Sequence, residues 1–151
     1  MTVTLTRVDG DRERFVPLLL EADESEPVLR TYLDEGELFE IFDRGEPAGA
    51  VLLIPEAEGE LEIKNIAIAE DRRGRGLGSA AIDEVAASAR ARGVRRLVVG
   101  TAETSEDLHR FYRRCGFSDA GRREGFFDDY PEPVIEHGRV AHDMVLFAME
   151  L

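Results

Sequence analysis

The chain has a single cysteine, Cys115, in 151 residues. One cysteine cannot form an intramolecular disulfide, which excludes a small secreted scaffold held by bridges. That cysteine and the three histidines, His109, His137 and His142, are scattered without metal-ligand spacing, so no metal is expected. Long apolar runs are also missing; none approaches the roughly 20 residues needed to cross a bilayer. The N-terminus, MTVTLTRVDGDRERF, has no basic start followed by an apolar stretch. No signal peptide is expected, and a cytoplasmic location is the default. Lysine is nearly absent: Lys64 stands alone against 18 arginines. An acidic, lysine-poor composition fits a high-salt cytoplasm and fits codon bias equally, and both readings stay open.

What is present is a normal core-forming composition, 43% hydrophobic and 34% charged, with a formal net charge of -13. This is the profile of one folded domain spanning 1–151, not of a disordered chain. The charge is uneven. Residues 1–71 carry 6 basic and 19 acidic groups, whereas 72–151 carry 13 of each. An acidic surface repels phosphate, so neither nucleic acid nor an anionic membrane is an expected partner. A cation would be attracted; solubility alone would also explain the acidity.

Periodicity gives the element order. TVTLTRV (2–8) alternates as a strand, and 11–25 reads as a helix with Pro17 near its start. A second short helix covers 27–36, between Pro27 and Gly36. Residues 37–43 and 48–55 form a hairpin pattern, and 61–70 is the next strand. In 76–93, Leu77, Ala81, Val85 and Ala89 recur every four residues, the mark of an amphipathic helix. A buried-type strand follows at 95–101. A helix at 104–117 is to be capped by Thr104 or Ser105. Two strands, near 117–127 and 141–150, flank a joining segment at 128–140. The order is strand, two helices, three strands, helix, strand, helix, two strands. It predicts an α/β fold of mixed α+β character, with parallel pairing inside a mixed sheet across 61–101.

Between the strand at 61–70 and the helix at 76–93 lies RRGRGLGSA, unusually rich in glycine and arginine. Helix N-termini leave backbone N–H groups unpaired and carry a partial positive charge, so they hold phosphates. Gly74, Gly76 and Gly78 allow close approach, and Arg73 and Arg75 add charge. Two common phosphate loops do not fit. A dinucleotide fingerprint from Gly74 would need Gly or Ala where Ser79 stands, and the ATP loop needs a lysine. A flexible turn with solvated arginines is the plain alternative.

The order Arg73-Gly74-Arg75-Gly76-Leu77-Gly78 resembles the signature of the GNAT superfamily, the acetyl-CoA-dependent N-acetyltransferases. That signature is Arg or Gln, two free positions, Gly, one free position, then Gly or Ala. NIAIAEDRR (65–73) resembles the strand end that precedes it in the family. LHRFYRRCGF (108–117) resembles the family's later helix with its Phe-Tyr and Gly-Phe pairs. The tail FFDDYPEPVIEHGRVAHDMVLF is similar to that of a subgroup with no known substrate. The resemblance implies a GNAT fold with a mixed central sheet of about seven strands and about four helices.

The resemblance also implies a site. Acetyl-CoA would enter a splay between the strands at 61–70 and 95–101. Backbone groups of Ile66, Ala67 and Ile68 would pair with its pantetheine arm. The amides of Arg73, Gly74, Arg75, Gly76, Leu77 and Gly78 would hold the pyrophosphate, and Ser79 could add a hydroxyl. An amine would attack the thioester directly, with Tyr112 as the acid that protonates the leaving thiolate. Packing in the core is the competing reading for Tyr112. Glu62 stands where several family members carry a catalytic or water-relay glutamate. A regular strand would put Glu62, Lys64 and Ile66 on one face. Glu136 and His137 are rival bases, whereas His109, His142 and Cys115 are expected to pack or face solvent. The asparagine that many members carry before the tyrosine helix is replaced by Glu103, Thr104 and Ser105.

The helices at 11–35 would form one wall of the acceptor cleft. Their acids, Glu21, Asp23, Glu24, Glu26, Asp34 and Glu35, suit a cationic small-molecule amine or a protein amino group. Glu24 is expected to touch it, with Tyr130 and Glu136 of the late segment opposite. Homodimers are common among relatives, and nothing in the sequence decides for or against one. A non-catalytic acyl-CoA-binding regulator and a nucleotide-binding module are the alternatives.

Overall fold

The computed structural model describes residues 2–151. A seven-stranded mixed sheet forms the middle layer. Its strands are β1 (Val3–Arg7), β2 (Glu37–Asp43), β3 (Glu46–Pro55), β4 (Glu60–Ile68), β5 (Arg96–Ala102), β6 (Ser118–Arg123) and β9 (Met144–Glu150), in the order β1-β2-β3-β4-β5-β9-β6. Only the β4–β5 pair is parallel. The remaining neighbours are antiparallel.

Helix α3 (Leu77–Ala91) covers one face, with α4 (Glu106–Arg114) beside it. The predicted stripe of Leu77, Ala81, Val85 and Ala89 is buried, packed with Val51, Leu53, Leu61, Ile63, Leu97 and Phe147 from the sheet. The opposite face carries α1 (Val16–Leu19) and α2 (Glu26–Tyr32), whose Leu19, Leu29 and Tyr32 pack on Ala50 and Leu52. Alternation along β3 sends 51 and 53 to one layer and 50 and 52 to the other.

Three elements differ from expectation. The helix expected at 11–25 is a 3₁₀ turn at Glu13–Phe15 followed by α1 alone. Pro17 sits in the first turn of α1. The amides of Glu21, Ala22 and Asp23 then close turns onto Leu18 and Leu19 carbonyls (3.0–3.1 Å). Asp23 Oδ1 accepts from the Ser25 amide (3.3 Å), and Ser25 caps α2. A side chain that bonds its own backbone in this way competes with helix continuation. The segment 20–25 is therefore a loop, and it carries the acids. Second, the joining segment 128–140 contains a small hairpin, β7 (Ile135–Glu136) with β8 (Arg139–Val140). His137 (φ 54°) and Gly138 (φ 74°) are both left-handed, the turn that matches strand twist. Third, β4 is not regular. Its register against β3 jumps from Leu53↔Ile63 to Leu52↔Asn65, leaving Lys64 as the extra residue of a bulge.

Candidate active site

The parallel pair is short. β4 and β5 are in register only from Glu60↔Arg96 to Ile63↔Val99, although both strands run on. Beyond that point they part, at the bulge. The gap opens into a cleft of about 800 Å³ whose walls include Asn65, Ile66, Ala67 and Ile68 from β4 and Gly100, Thr101 and Ala102 from β5. A strand edge without a partner presents free N–H and C=O groups, so an extended chain of amides can pair there.

The glycine-rich turn borders one end of the same cleft. Gly76 is the N-cap of α3 at φ 76°, and no side chain caps it. The first helical bond is Ala80 N–H to Gly76 O (3.1 Å), which leaves the amides of Leu77, Gly78 and Ser79 ahead of it. Gly78 is needed for space: a Cβ there would lie 3.2 Å from the Phe111 ring. Together these features fit an anion.

Two turn residues behave differently from expectation. The Arg73 amide is turned onto Glu70 O (3.4 Å), its Nε donates to Ile68 O (3.0 Å), and its guanidinium pairs with Glu21. Arg73 thus braces the turn against the α1–α2 loop and does not present a free amide. Arg75 is exposed and does not line the cleft. Gly74, Gly76, Leu77, Gly78 and Ser79 do line it.

Tyr112 lines the cleft from α4 and is 4% exposed. Its ring packs against Phe111, Phe117 and Phe147, with centroids 5.2, 5.5 and 6.3 Å away. Tyr112 is therefore a core residue that also faces the cleft. Burial drives its phenol well above the ordinary tyrosine range, so it stays protonated.

Glu62 requires a correction. It precedes the splay and lines a separate small pocket with Glu56 and Arg123, not the cleft. The bulge at Lys64 also breaks the expected shared face: Ile66 packs with Ile63 on the α3 side, while Asn65 turns to α1 and α2. Burial, and next the hydrogen bond that the protonated carboxyl donates to Glu56, push Glu62 up to about 7. Its proton affinity suits a base, but its place keeps it from direct contact with anything bound in the cleft. His137 is exposed in the β7–β8 turn. His109 bonds Ala102 O (3.0 Å) and stacks near Phe147, as packing predicts. His142 pairs with Asp128 (2.6 Å) near the surface.

The far end of the cleft is built by segment 20–25 and by 126–136. Glu24, Tyr130 and Glu136 all line it, as does Asp23. Asp23 was only one of several acids in the sequence, yet it is the centre of a network. Tyr32 donates to Asp23 Oδ2 (2.9 Å), Asn65 Nδ2 donates to the Tyr32 hydroxyl and to Leu19 O (both 3.1 Å), and the Tyr130 hydroxyl approaches both Asp23 oxygens at 3.5 Å. Ser105 lines the cleft too, but its hydroxyl does not cap α4; it donates to Glu136 (2.7–2.8 Å). Among the acids expected in this wall, Glu26 faces Arg30 (3.0 Å). Asn65 and Tyr32 carried no motif. Only the bulge brings Asn65 to this wall, and no sequence pattern announced it.

A parallel strand splay facing an uncapped helix N-terminus defines a cleft suited to an extended ligand that carries both amides and phosphates. Comparison with known proteins gives the family. The model of the acetyltransferase (GNAT) family matches residues 9–117, and the chain belongs to that family. It is 30% identical over 135 residues to the uncharacterized N-acetyltransferase YvbK of Bacillus subtilis (strain 168), covering 89% of this chain and 87% of YvbK. A GNAT family acetyltransferase from Elizabethkingia anophelis, solved with acetyl-CoA bound, superposes with a TM-score of 0.90 at 35% identity, over 99% of this chain and 98% of that one. A B. subtilis acetyltransferase solved with CoA gives 0.88 at 27% identity, over 99% of each chain. The protein is a GNAT-family N-acetyltransferase with the seven-stranded mixed sheet and four helices of that fold.

Proposed function

We propose that the chain transfers an acetyl group from acetyl-CoA to a primary amine by direct attack. The carrying observation is the β4–β5 splay with the uncapped α3 N-terminus at its end. The relatives solved with acetyl-CoA and CoA support the choice of donor. The residues present fit it. The free β4 edge over Asn65–Ile68 would pair with the amide-bearing arm, and the amides at 76–79 would hold the diphosphate. When bound, acetyl-CoA supplies an activated acyl group on a thiol leaving group.

The protein residues position and move protons. Tyr112 stays neutral by burial and can donate its proton to a thiolate. Direct transfer needs no protein nucleophile. Cys115 fits this: it is half-buried, near Ser79, with its thiol raised chiefly by burial. Asp23, Glu24, Tyr130 and Glu136 form the acceptor end. Glu62 is kept as a base only through an intervening water, given its place outside the cleft.

The test is thiol release from acetyl-CoA across an amine library, beside calorimetric binding of acetyl-CoA, ATP and NAD. Release with at least one amine, and binding of acetyl-CoA alone, are expected. Binding without release from any amine would replace the enzyme with an acyl-CoA-binding regulator.

A further inference from the structure

The acceptor end of the cleft has an unbalanced charge. Glu21 is neutralised by Arg73, but among the described residues Asp23, Glu24 and Glu136 make no ion pair. Hydroxyls of Tyr32, Tyr130 and Ser105 bond Asp23 and Glu136 without cancelling their charge. The one nearby lysine does not help. The Lys64 ammonium lies over the rings of Tyr32 and Phe126, 5.1 and 5.8 Å from their centroids, and forms no ion pair among the described residues. Elsewhere the chain pairs its acids freely with arginine. Glu37 alone takes two, Arg7 and Arg92.

A second observation points to a ligand. Asn65 lines the cleft and is 4% exposed. Both its Nδ2 bonds are made, to Leu19 O and Tyr32, yet its Oδ1 has no hydrogen-bond partner. A buried acceptor without a donor is costly unless something fills the role.

We infer that the acceptor is dibasic: a short aliphatic diamine or polyamine whose one amino group attacks while a second, still an ammonium, is held by Asp23, Glu24 and Glu136. This rests on the acetyl-transfer reading above. The reason for two groups is chemical. An amine must be neutral to attack, and a carboxylate beside it favours the charged form. Three carboxylates around the nucleophile would therefore hold it unreactive. They suit a different nitrogen. The nucleophile needs a neutral hydrogen-bond acceptor, and the unpaired Asn65 Oδ1 would be one once its buried side chain turns towards the cleft. The rings of Phe126, Phe127 and Tyr130, mutually packed at 5.0–6.1 Å, give the methylenes between the nitrogens an apolar wall. Desolvation, and then the charges of Glu136 and Asp23, raise the Glu24 carboxyl, and a bound ammonium would offset that repulsion. The step balances: the neutral nitrogen forms the new bond to the acyl carbon, the carbon–sulfur bond breaks, Tyr112 gives its proton to the thiolate, and the proton shed by the nitrogen returns through water to the tyrosinate.

The experiment compares kcat/KM for putrescine with that for n-butylamine, and for cadaverine with n-pentylamine. Each pair shares its nucleophile and differs in the second ammonium. The diamine should be preferred by about tenfold or more, the worth of a charge-assisted contact. Glu24→Gln and Glu136→Gln should each lower that ratio, and the double variant should lower it further, to the part that Asp23 alone holds. A folding defect lowers both rates and leaves the ratio intact. Equal rates for diamine and monoamine, or a ratio unchanged in the double variant, would overturn the dibasic acceptor while leaving the acetyltransferase standing. No thiol release with any amine would remove both.

Discussion

Tyr112→Phe isolates one proton. The phenylalanine keeps the ring that packs against Phe111, Phe117 and Phe147, and loses only the hydroxyl. No hydrogen bond from that hydroxyl to the described residues is lost, so stability should change by less than about 1 kcal/mol. The chemical consequence is larger. General acid catalysis contributes on the order of 10²–10⁴-fold, and each tenfold in rate is about 1.4 kcal/mol of barrier. Some of that is recoverable, because water in the cleft can protonate a thiolate. A fall in kcat of at least about tenfold is expected, with acetyl-CoA affinity unchanged, since the phenylalanine keeps the ring and leaves the diphosphate cradle and the β4 edge as they are. The raised phenol also predicts that wild-type kcat does not fall off near the ordinary tyrosine pKa of about 10. The assay is steady-state thiol release at saturating amine, with calorimetry for acetyl-CoA. An unchanged kcat would remove Tyr112 from the chemistry and leave it a core aromatic. Lost affinity together with lost kcat would mean that the ring, not the proton, is what matters.

Three further outcomes follow from other parts of the site. Gly76→Asp puts a side chain at φ 76° and a negative charge at the mouth of the anion site; acetyl-CoA binding measured by calorimetry should disappear, and retained binding would refute the cradle. Glu62→Gln tests the buried carboxyl. Its folded pKa of about 7 lies above the ordinary 4.5, so its contribution to stability is full below about 4.5 and is lost as pH rises through about 7, by up to about 3 kcal/mol. The glutamine should flatten that decline in denaturant midpoints taken across this window; an unaltered slope would place the titration elsewhere. Gly78→Val, with its Cβ 3.2 Å from Phe111, should weaken acetyl-CoA binding and lower the melting temperature together, and a neutral outcome would show that Phe111 yields.

The parts of the fold that sequence reading recovered are those with a period. The α3 stripe, the β5 run and the alternation of β1 each repeat a local pattern. The parts it missed depend on single residues meeting distant ones. The helix at 11–25 stops at Leu19 because Asp23 bonds the Ser25 amide and Asn65 takes the Leu19 carbonyl, the second of which is a contact from β4. The 135–140 hairpin had a local mark in His137-Gly138, but one pair of turn residues without long flanking alternation is a weak signal. Asn65 and Ile66 were misplaced for a related reason: alternation counts residues, and a bulge adds one, so every face assignment beyond Lys64 inverts. Glu62 lies before the bulge, where β4 is still paired with β5, so it stands outside the cleft. Arg75 and Arg73 show the limit of motif transfer. The glycine spacing fixes the backbone, while the arginine side chains follow their own partners.

Under the proposed function, that same bulge separates the places of two ligands of opposite charge. Up to Ile63, β4 holds β5 in register, and beyond it the strands part, which frees one edge of β4 for an acyl donor. The inserted Lys64 turns Asn65 to the α1–α2 face, where it joins Tyr32 and Asp23. A single extra residue thus separates the two walls and links the second to an acid. The charge asymmetry of the sequence then has a spatial meaning. Asp23 and Glu24 come from the acidic half, and residues 74–79 from the neutral half. Glu21, from the same acidic loop, reaches across to Arg73 of the glycine-rich turn, which silences its charge there. Breaking that pair with Arg73→Ala should weaken acetyl-CoA binding by returning Glu21's charge to the donor end. Arg73→Ala together with Glu21→Ala should restore it in part. At about 0–1 kcal/mol for an exposed pair, the bond itself is worth little to the fold. A calorimetric loss in the single variant that the double variant does not recover would mean that Arg73 serves the donor directly, not by silencing Glu21.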